Sequence, residues 1–498
     1  MTRSHSLRTL GAAVLLASGL SGCLLGPNYQ RPTIDTPATY RFQETEVADA
    51  ANTQWWQQFN DPVLNQLIAT ALAENKDVKI AAARIDQFLG QFWSTRSALF
   101  PQVGAGFSAG RERVTAAGPT PVFAGQGTIF NDFQATLNAS WEIDLFGRNR
   151  RLTESARANL LATEEGRRAT ILSLVASVAS SYITLLSLDR QLEIAKATTS
   201  SRAESVHVFE LRFSGGEVSQ MELAQSQSEY EASAATIPSL EAQIAQQEDA
   251  LSVLLGHNPE PILRNGRDLN ALGMPPVPAG LPSELLERRP DLRQAEQQLV
   301  AANALIGAAR ALYFPSISLT GLLGTESGQI SNLFTGPSKI WAFAGSVTQP
   351  IFTAGNIKGQ VQQAEAQQQQ ALYSYQSAIQ TAFQEVDDAL ISSQKLREQL
   401  VIQGRQVDAL RTYSKMARLR YEGGYTSYIE VLDAERSLFN AELDETRTHQ
   451  GVLTSYVSLY KAMGGGWVIE AENMTTQQSS RDGATPGGPE GGPAQSVK

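Results

Sequence analysis

The residue with the most specific chemistry in this sequence is Cys23, the only cysteine of the 498-residue chain. It follows Ser21-Gly22 at the end of an apolar run, Leu10 to Leu20, and two arginines precede that run. This order is typical of a secretion signal, and the ending Leu-Ser-Gly-Cys matches the bacterial lipoprotein signal. We predict a signal peptide over 1–22 and acylation of the Cys23 thiol. The alternative is an ordinary signal followed by a stray buried cysteine.

The residue after Cys23 indicates which membrane holds the anchor. By resemblance to bacterial lipoproteins, where Asp at this position signals retention in the inner membrane, Leu24 favours the outer membrane of a Gram-negative bacterium. Each buried methylene of a lipid chain contributes about 0.8 kcal/mol, so several acyl chains would hold the terminus firmly on that membrane.

The other reactive side chains form no arrangement that suits catalysis. The histidines, His5, His207, His257 and His449, are scattered, and no Ser-His-Asp or H-E-x-x-H pattern is present. A single cysteine excludes disulfides and cysteine-based zinc sites. The net charge of -10 argues against a nucleic-acid partner. We therefore expect no enzymatic activity, no cofactor and no metal site.

Two stretches of the chain repeat each other around a pair of glycines. Leu211–Gln225, LRFSGGEVSQMELAQ, aligns with Leu419–Asp433, LRYEGGYTSYIEVLD, about 208 residues further on. Glycine permits the positive φ that ends one helix and lets the chain reverse. The alignment therefore predicts an internal two-fold sequence repeat, with a helical hairpin in each half and its tip at the glycines.

Each half also contains two segments in which apolar and polar residues alternate. The strictest run extends from Phe133 to Leu145 and predicts one apolar and one wet face. The predicted strands cover about 102–113 and 132–147 in the first half, and about 315–324 and 339–352 in the second.

A soluble sandwich would alternate in the same way, but strands of this length in an exported lipoprotein fit a membrane barrel, which needs about 9 to 11 residues per crossing. Four strands cannot close a barrel, and an open edge in lipid leaves backbone groups unpaired. The chain must therefore share its barrel with copies of itself.

Long segments without proline predict helices that pack as coiled coils. Arg148–Arg212 and Asn356–Tyr421 contain no proline, and a continuous helix of about 64 residues would be near 95 Å long. Shorter return helices are expected at about 219–255 and 427–463, with a local interruption at Pro238.

The remaining segments complete the predicted domain organisation. Asp61 and Pro62 are typical of a helix start, and we expect that helix to run to Phe100, with a counterpart starting at Pro290. The predicted order is signal peptide 1–22, lipidated extended arm 23–58, first repeat 59–257, linker 258–283, second repeat 284–464 and disordered tail 465–498.

Four blocks of sequence resemble one family over essentially all of the mature chain except the tail. They are the lipoprotein signal followed by GPNYQRP, the block WWQQFNDPVLNQLI, the segment Arg289–Gly321, and LRYEGGYTSYIEVLDAERSLFNAE. In these blocks the chain resembles the outer membrane factor family, TolC-like channels of the NodT lipoprotein type. The resemblance implies a mixed α and β membrane protein. It would be a homotrimer with a twelve-stranded transmembrane β-barrel, four strands per chain, continued by a long α-helical coiled-coil barrel in the periplasm.

The resemblance also implies a function. The trimer would be the passive exit duct of a tripartite efflux or export system, opened by a periplasmic adaptor, the membrane fusion protein, and an energised inner-membrane transporter. Resemblance to the lipoprotein subgroup favours a resistance-nodulation-division transporter. The alternatives are a type I protein secretion duct and a structural coiled-coil lipoprotein.

The family's periplasmic gate falls on the second hairpin, at Glu430 and Asp433, with Ile429 as an apolar companion. Residues three apart share a helix face, and three copies would place rings of like charge at a constriction, which selects for cations. The first hairpin has Glu222 and Gln225 at these positions and so lacks one acid.

One departure from the family pattern and one alternative role bear on the predicted gate. Tyr421 matches the family's latch tyrosine, but Thr426 stands where the TolC-type pattern has an arginine, so that contact is not expected. The alternative role for the two acids is ordinary pairing with Arg420 or Arg436 on a solvated helix face.

The hairpin tips, 212–219 and 420–427, resemble the family's adaptor-docking grooves. Turn chemistry alone would explain their glycines and serines, but not the recurrence of Arg and Ser in both copies. The predicted docking residues are Arg212, Gly215, Gly216, Ser219, Arg420, Gly423, Gly424 and Ser427.

Overall fold

A computed structural model describes residues 24–34, 36–37, 39–42, 54–115, 128–275, 284–464, 467–469 and 471–472. Cys23 and the signal peptide lie outside the described residues, as do most of the predicted tail and part of the linker. The chain divides into two units. The first comprises Met1–Thr33, Arg84–Glu164 and Gln294–Gln376, and the second comprises Ile34–Ala83, Glu165–Arg293 and Ser377–Lys498.

Helices account for most of the described chain. They are α1 Pro62–Glu74, α2 Lys76–Ser97, α3 Arg148–Ser214, α4 Gln220–Leu255, α5 Leu285–Arg288, α6 Pro290–Ala311, α7 Asn356–Glu422 and α8 Tyr428–Met463. The helices α3 and α7 each contain 67 residues, or about 100 Å at the usual rise per residue. An apolar stretch of α3 is long enough to cross a membrane, but most of that stretch is buried within the protein.

Four strands form one antiparallel sheet in the order β1-β2-β3-β4. Their bounds are β1 Gln102–Arg113, β2 Ile129–Ile143, β3 Ser316–Ser327 and β4 Lys339–Thr348. Two strands end earlier than predicted: β2 ends at Ile143 rather than at about 147, and β4 ends at Thr348 rather than at about 352. The chain leaves β2 before Asp144 because that carboxylate accepts hydrogen bonds from the backbone of Asn149 and Arg150, at 3.1 and 2.8 Å, at the start of α3. After β4 comes Pro350, which has no N–H to donate to a strand partner.

The register of the sheet separates an apolar from a polar face. Leu137 lies opposite Ala105 and Leu323, and Leu323 lies opposite Trp341, so one apolar row crosses all four strands. Within the chain this row stays uncovered, with Trp341 71% exposed. Among the described residues β1 and β4 each pair with one strand, so both edges of the sheet are free to continue the ladder in a neighbouring copy.

The core of the second unit is built around aromatic residues that precede α1. Trp55, Trp56 and Phe59 are buried, and the ring of Trp55 stacks on that of Tyr460 with centroids 5.3 Å apart. Asp61 caps α1 as predicted, because its carboxylate accepts hydrogen bonds from the backbone of Val63 and Leu64. These residues fix where the helix begins.

The single helix predicted from Pro62 to Phe100 is wrong, because Asn75 divides it into α1 and α2. Asn75 has non-helical backbone angles, with φ and ψ of -56° and 133°, and its side-chain oxygen accepts hydrogen bonds from the backbone of Asp77 and Val78, at 2.8 and 3.1 Å. Its amide nitrogen donates to the carbonyl of Leu254. A buried capping residue therefore ends one helix and begins the next.

The predicted interruption at Pro238 is also wrong, since α4 continues through it. Proline removes one backbone hydrogen bond from a helix. On either side of it, however, Ser233 and Leu240 are buried. Packing of these flanking turns holds the helix together despite the missing bond.

The predicted start of the disordered tail at residue 465 is wrong, because the segment just after it packs in the core. Trp467 is fully buried, and its ring meets those of Trp55 and Trp56 edge to face, with centroids 6.3 and 5.2 Å away. Glu472 pairs with Arg168 at 2.9 Å. The predicted tail, 465–498, is rich in glycine and polar residues. Its composition therefore gives no sign that Trp467 packs in the core.

Replacing Trp467 with alanine is expected to lower the free energy of unfolding by about 3–5 kcal/mol, the usual loss for a buried tryptophan. Urea unfolding of the purified protein measures this. Ile469→Ala is the matched control, because Ile469 is exposed in the same segment and should unfold at nearly the wild-type concentration of urea. Equal unfolding midpoints for the two variants would contradict the assigned packing.

In the first unit, the residues that follow Cys23 are held tightly. The buried guanidinium of Arg151 donates hydrogen bonds to the carbonyls of Leu25 and Gly26, at 3.0 and 3.2 Å, and to the side chain of Asn28 at 2.9 Å. Gly26 has a φ of 86°, and a Cβ there would lie 2.4 Å from the Cα of Gly307. The start of the arm is thus fixed against α3 and α6.

Candidate functional site

The two hairpin tips fold in the same way. Gly216 and Gly424 have φ values of 77° and 76°, in the left-handed region that glycine enters without strain. In the first tip the backbone N–H of Glu217 donates to the carbonyl of Arg212 at 2.9 Å, and in the second that of Tyr425 donates to Arg420 at 2.8 Å. The repeated sequence therefore produces a repeated turn.

The helices that leave the two tips begin differently. Ser219 and Glu222 form a complete capping box at the start of α4: the Glu222 carboxylate accepts from the Ser219 backbone at 2.8 Å, and the Ser219 hydroxyl accepts from the Glu222 backbone at 3.3 Å. Ser427, at the start of α8, makes no side-chain capping hydrogen bond. The two copies thus share a motif but not its hydrogen bonds.

Both predicted gate acids pair with arginines of their own chain. Glu430 accepts a hydrogen bond from the Thr426 hydroxyl and lies 3.4 Å from the guanidinium of Arg420. Asp433 lies 2.8 Å from Arg436. These are the pairs expected if the acids simply occupied a solvated helix face. Exposed pairs of this kind contribute about 0–1 kcal/mol, so they leave the carboxylates available to other partners.

Three of the four predicted gate residues line one cleft of about 580 Å³. Ile429 is exposed, and the side chains of Glu430 and Asp433 are 28% and 54% exposed. Gln225, from the first hairpin, lines the same cleft. The structure thus brings an apolar group and two carboxylates of α8 together at one solvent-open surface.

Tyr421, the fourth predicted gate residue, belongs to a different contact. Its hydroxyl accepts a hydrogen bond from Arg212 at 3.2 Å, and its ring lies in an aromatic cluster with Phe209 and Tyr428, with centroid distances of 6.2 and 5.1 Å. Burial raises the pKa of the Tyr428 phenol. The partner of the tyrosine is therefore an arginine of the first hairpin.

The predicted docking residues are mostly open to solvent. Arg212 is half-buried because it contacts Tyr421. The others are exposed: Gly215, Gly216, Ser219, Arg420, Gly423, Gly424 and Ser427. Elsewhere in the described part of the chain, no three His, Cys, Asp or Glu side chains are grouped so as to hold a metal ion.

The role of Thr426 is not evident from the sequence, where the residue only replaces an expected arginine. In the structure its hydroxyl donates a hydrogen bond to the Glu430 carboxylate. The alignment did contain a signal: the first hairpin has Val218 at the equivalent position. A hydroxyl that is present in only one copy of a duplicated turn is a candidate for a role that the turn itself does not require.

Comparisons with known proteins agree on one family. The model of the family described as outer membrane efflux protein matches residues 67–257 and 281–465. These two segments correspond to the two halves of the repeat.

Individual relatives cover nearly the whole chain. The probable efflux pump outer membrane protein TtgC of Pseudomonas putida is 38% identical over 95% of this chain and 98% of its own. The cation efflux system protein CusC of Escherichia coli is 36% identical over 91% of this chain and 98% of its own. The crystal structure of the Campylobacter jejuni CmeC outer membrane channel superposes with a TM-score of 0.85 at 28% identity, covering 92% of this chain and 99% of that one.

Proposed function

Since the chain belongs to the outer membrane efflux protein family, we propose that Glu430, Asp433 and Ile429 form the gate at its periplasmic end. The protein is the outer-membrane channel of a tripartite efflux system, a trimer that works with an adaptor and an inner-membrane transporter. It spans the outer membrane and extends into the periplasm.

The observation that carries the gate proposal is the shared cleft on the second hairpin. The second hairpin contributes two acids to this cleft, whereas the first contributes Gln225 and Glu229, and Glu229 pairs with Arg202. In a trimer, three copies of α8 bring six carboxylates, two from each chain, around one axis. Like charges that converge on a narrow opening repel anions and attract cations.

The contact between Arg212 and Tyr421 supports a closing role for the second hairpin. It joins the tips of the two hairpins of one chain through a hydrogen bond and the adjoining aromatic cluster. A hydrogen bond of this kind contributes about 1 kcal/mol, which is enough to favour one arrangement and weak enough to be displaced by a protein that binds the tips.

We further propose that the exposed tips bind the adaptor. The equal backbone hydrogen bonding of the two tips gives each chain two similar surfaces, and a trimer therefore presents six in an approximate sixfold ring. A ring of repeated turns suits a partner that binds in several copies.

Lipid anchoring at Cys23 is supported by the way in which Arg151 holds the arm. The hydrogen bonds from Arg151 reach Leu25, two residues after the predicted acylation site. Leu25 in turn donates its backbone N–H to the carbonyl of Phe146, just after the end of β2. The described part of the arm therefore begins beside the base of the sheet, directly after the predicted acylation site in the sequence.

The transporter is proposed to be of the resistance-nodulation-division type, on the resemblance of the chain to the lipoprotein subgroup of the family; the names of the relatives support efflux without specifying a class of transporter. In a host without its own outer-membrane channels, the chain should lower dye accumulation when it is expressed with such a transporter and its adaptor. Restored export only with a type I secretion transporter would contradict this assignment.

A further inference from the structure

We propose that Glu430 is a two-position switch: Thr426 and Arg420 hold its carboxylate in the closed gate, and a capping box with Ser427 holds it in the open gate. The proposal rests on the gate function assigned above and names the device that sets its state. It is drawn from a comparison between the two halves of this chain.

The first hairpin shows the second position of the switch. There, Ser219 and Glu222 bond each other reciprocally, so that all the contacts of the carboxylate lie within the first turn of α4. The second hairpin carries the same Ser-x-x-Glu motif in Ser427 and Glu430. Its sequence therefore encodes a capping box that its structure does not form.

The backbone of the second hairpin is ready for that capping box. Ser427 has φ and ψ of -79° and 158°, and its counterpart Ser219 has -81° and 156°. Only the side chains of Ser427 and Glu430 need to rotate. Because no backbone rearrangement is required at the cap, the two positions of the carboxylate are separated by rotamer changes alone.

Position 426 is the difference between the hairpins that bears directly on the hydrogen bonding of the glutamate. Arginine is present in both copies, although Arg420 pairs with Glu430 and Arg212 contacts Tyr421. Position 426 differs, because Val218 in the first hairpin has no hydrogen-bond donor on its side chain, whereas the Thr426 hydroxyl donates to Glu430. The hydroxyl draws the carboxylate away from its cap and towards the end of α7.

The two positions have different mechanical consequences. In the observed position, Glu430 is bonded to the turn at Thr426 and to Arg420 of α7, so it ties the start of α8 to the end of α7. In the capping box, its bonds would lie within α8 alone. Moving the carboxylate therefore frees the first turn of α8 from the end of α7 while keeping the charge satisfied, and the pairs Arg418–Glu435 and Arg411–Glu442 still join the two helices further along. Near its freed end, α8 carries the cleft-lining Ile429 and Asp433.

The test is the substitution Thr426→Val, which gives the second tip the residue of the first. A partly exposed hydrogen bond of this kind contributes about 1 kcal/mol, which shifts a two-state ratio about 5-fold, so single-channel recordings of the variant trimer should show an open fraction about 5-fold higher. Thr426→Ser keeps the hydroxyl and should behave as wild type. A crystal structure of Thr426→Val should show Glu430 bonded to Ser427.

Further variants separate the switch from the gate itself. Adding Ser427→Ala to Thr426→Val removes the cap and should return the open fraction towards the wild-type value. Val218→Thr places the same hydroxyl in the first hairpin and should leave conductance unchanged.

Two results would overturn the switch. One is an open fraction of Thr426→Val that does not fall when Ser427→Ala is added. The other is an open fraction of Thr426→Val equal to that of wild type. The gate would survive either result if Glu430→Ala combined with Asp433→Ala still raised conductance, and it would fall only if that pair also had no effect. The failure of one proposal is thereby distinguished from the failure of the other.

Discussion

Replacing both Glu430 and Asp433 with alanine is expected to raise the conductance of the trimer and to weaken its preference for cations. The first effect arises because two carboxylate side chains that narrow the proposed opening are replaced by methyl groups, and because Glu430 no longer ties α8 to Arg420 and Thr426. The second arises because the opening loses its fixed negative charge.

The size of the increase follows from the weakness of the contacts. Partly exposed ion pairs and hydrogen bonds each contribute about 1 kcal/mol or less, and a change of about 1 kcal/mol shifts a two-state ratio about 5-fold. We therefore expect an open fraction about 5-fold higher, and a reversal potential closer to zero in a salt gradient.

The first hairpin of the chain provides the control for this experiment. Glu222→Ala removes the acid at the same position of the first hairpin, where its carboxylate only caps α4. This variant should conduct like wild type, with a small loss of helix stability. A double gate variant whose single-channel record matched the wild type would rule out the assigned gate.

Replacing Cys23 with serine is expected to abolish acylation completely, because the chain contains no other thiol. Lipid attachment is measured by incorporation of labelled palmitate and by the mass of the N-terminal peptide. Since each buried methylene contributes about 0.8 kcal/mol, the variant also loses most of the membrane affinity of its N-terminus.

Ser21→Ala is the matched control for the anchor, since it keeps a small residue two positions before Cys23. It should be acylated as efficiently as wild type. Labelled palmitate in the Cys23→Ser protein would show that the lipid is attached elsewhere, and the predicted signal would then be wrong.

The general architecture could be predicted from the sequence because its signals are local or repeated. The turns at Gly216 and Gly424 require a residue that accepts a positive φ, and the strict alternation in β2 is retained in the paired rows of the sheet. The need for partner chains followed from counting strands. Each of these arguments uses a property of a short segment.

The errors in the fold arose where distant residues decide local structure. In the sequence, nothing marks Asn75 as the end of a helix. Its side-chain amide donates a hydrogen bond to the carbonyl of Leu254, which is far away in the sequence. Trp467 follows three glycines at the start of a mostly polar, glycine-rich tail, and its burial depends on contacts with Trp55 and Trp56, far away in the sequence. Composition and periodicity carry no information about such long-range contacts.

The site was predictable in its residues but not in their hydrogen bonds. Glu430 and Glu222 occupy equivalent positions in one alignment, yet the first is bonded across the turn and the second within its own helix. The difference depends on the rotamer of one carboxylate and on a hydroxyl at Thr426. When a carboxylate can find hydrogen-bond partners in two different rotamers, a sequence pattern does not determine which rotamer it adopts.

The most direct test of the account is the current through planar lipid bilayers that contain the purified trimer, with wild type and the Glu430→Ala/Asp433→Ala variant recorded side by side. We expect a small, cation-selective conductance for the wild type and a larger, less selective one for the variant. A complete absence of conductance in both would contradict the conclusion that this chain forms an outer-membrane duct.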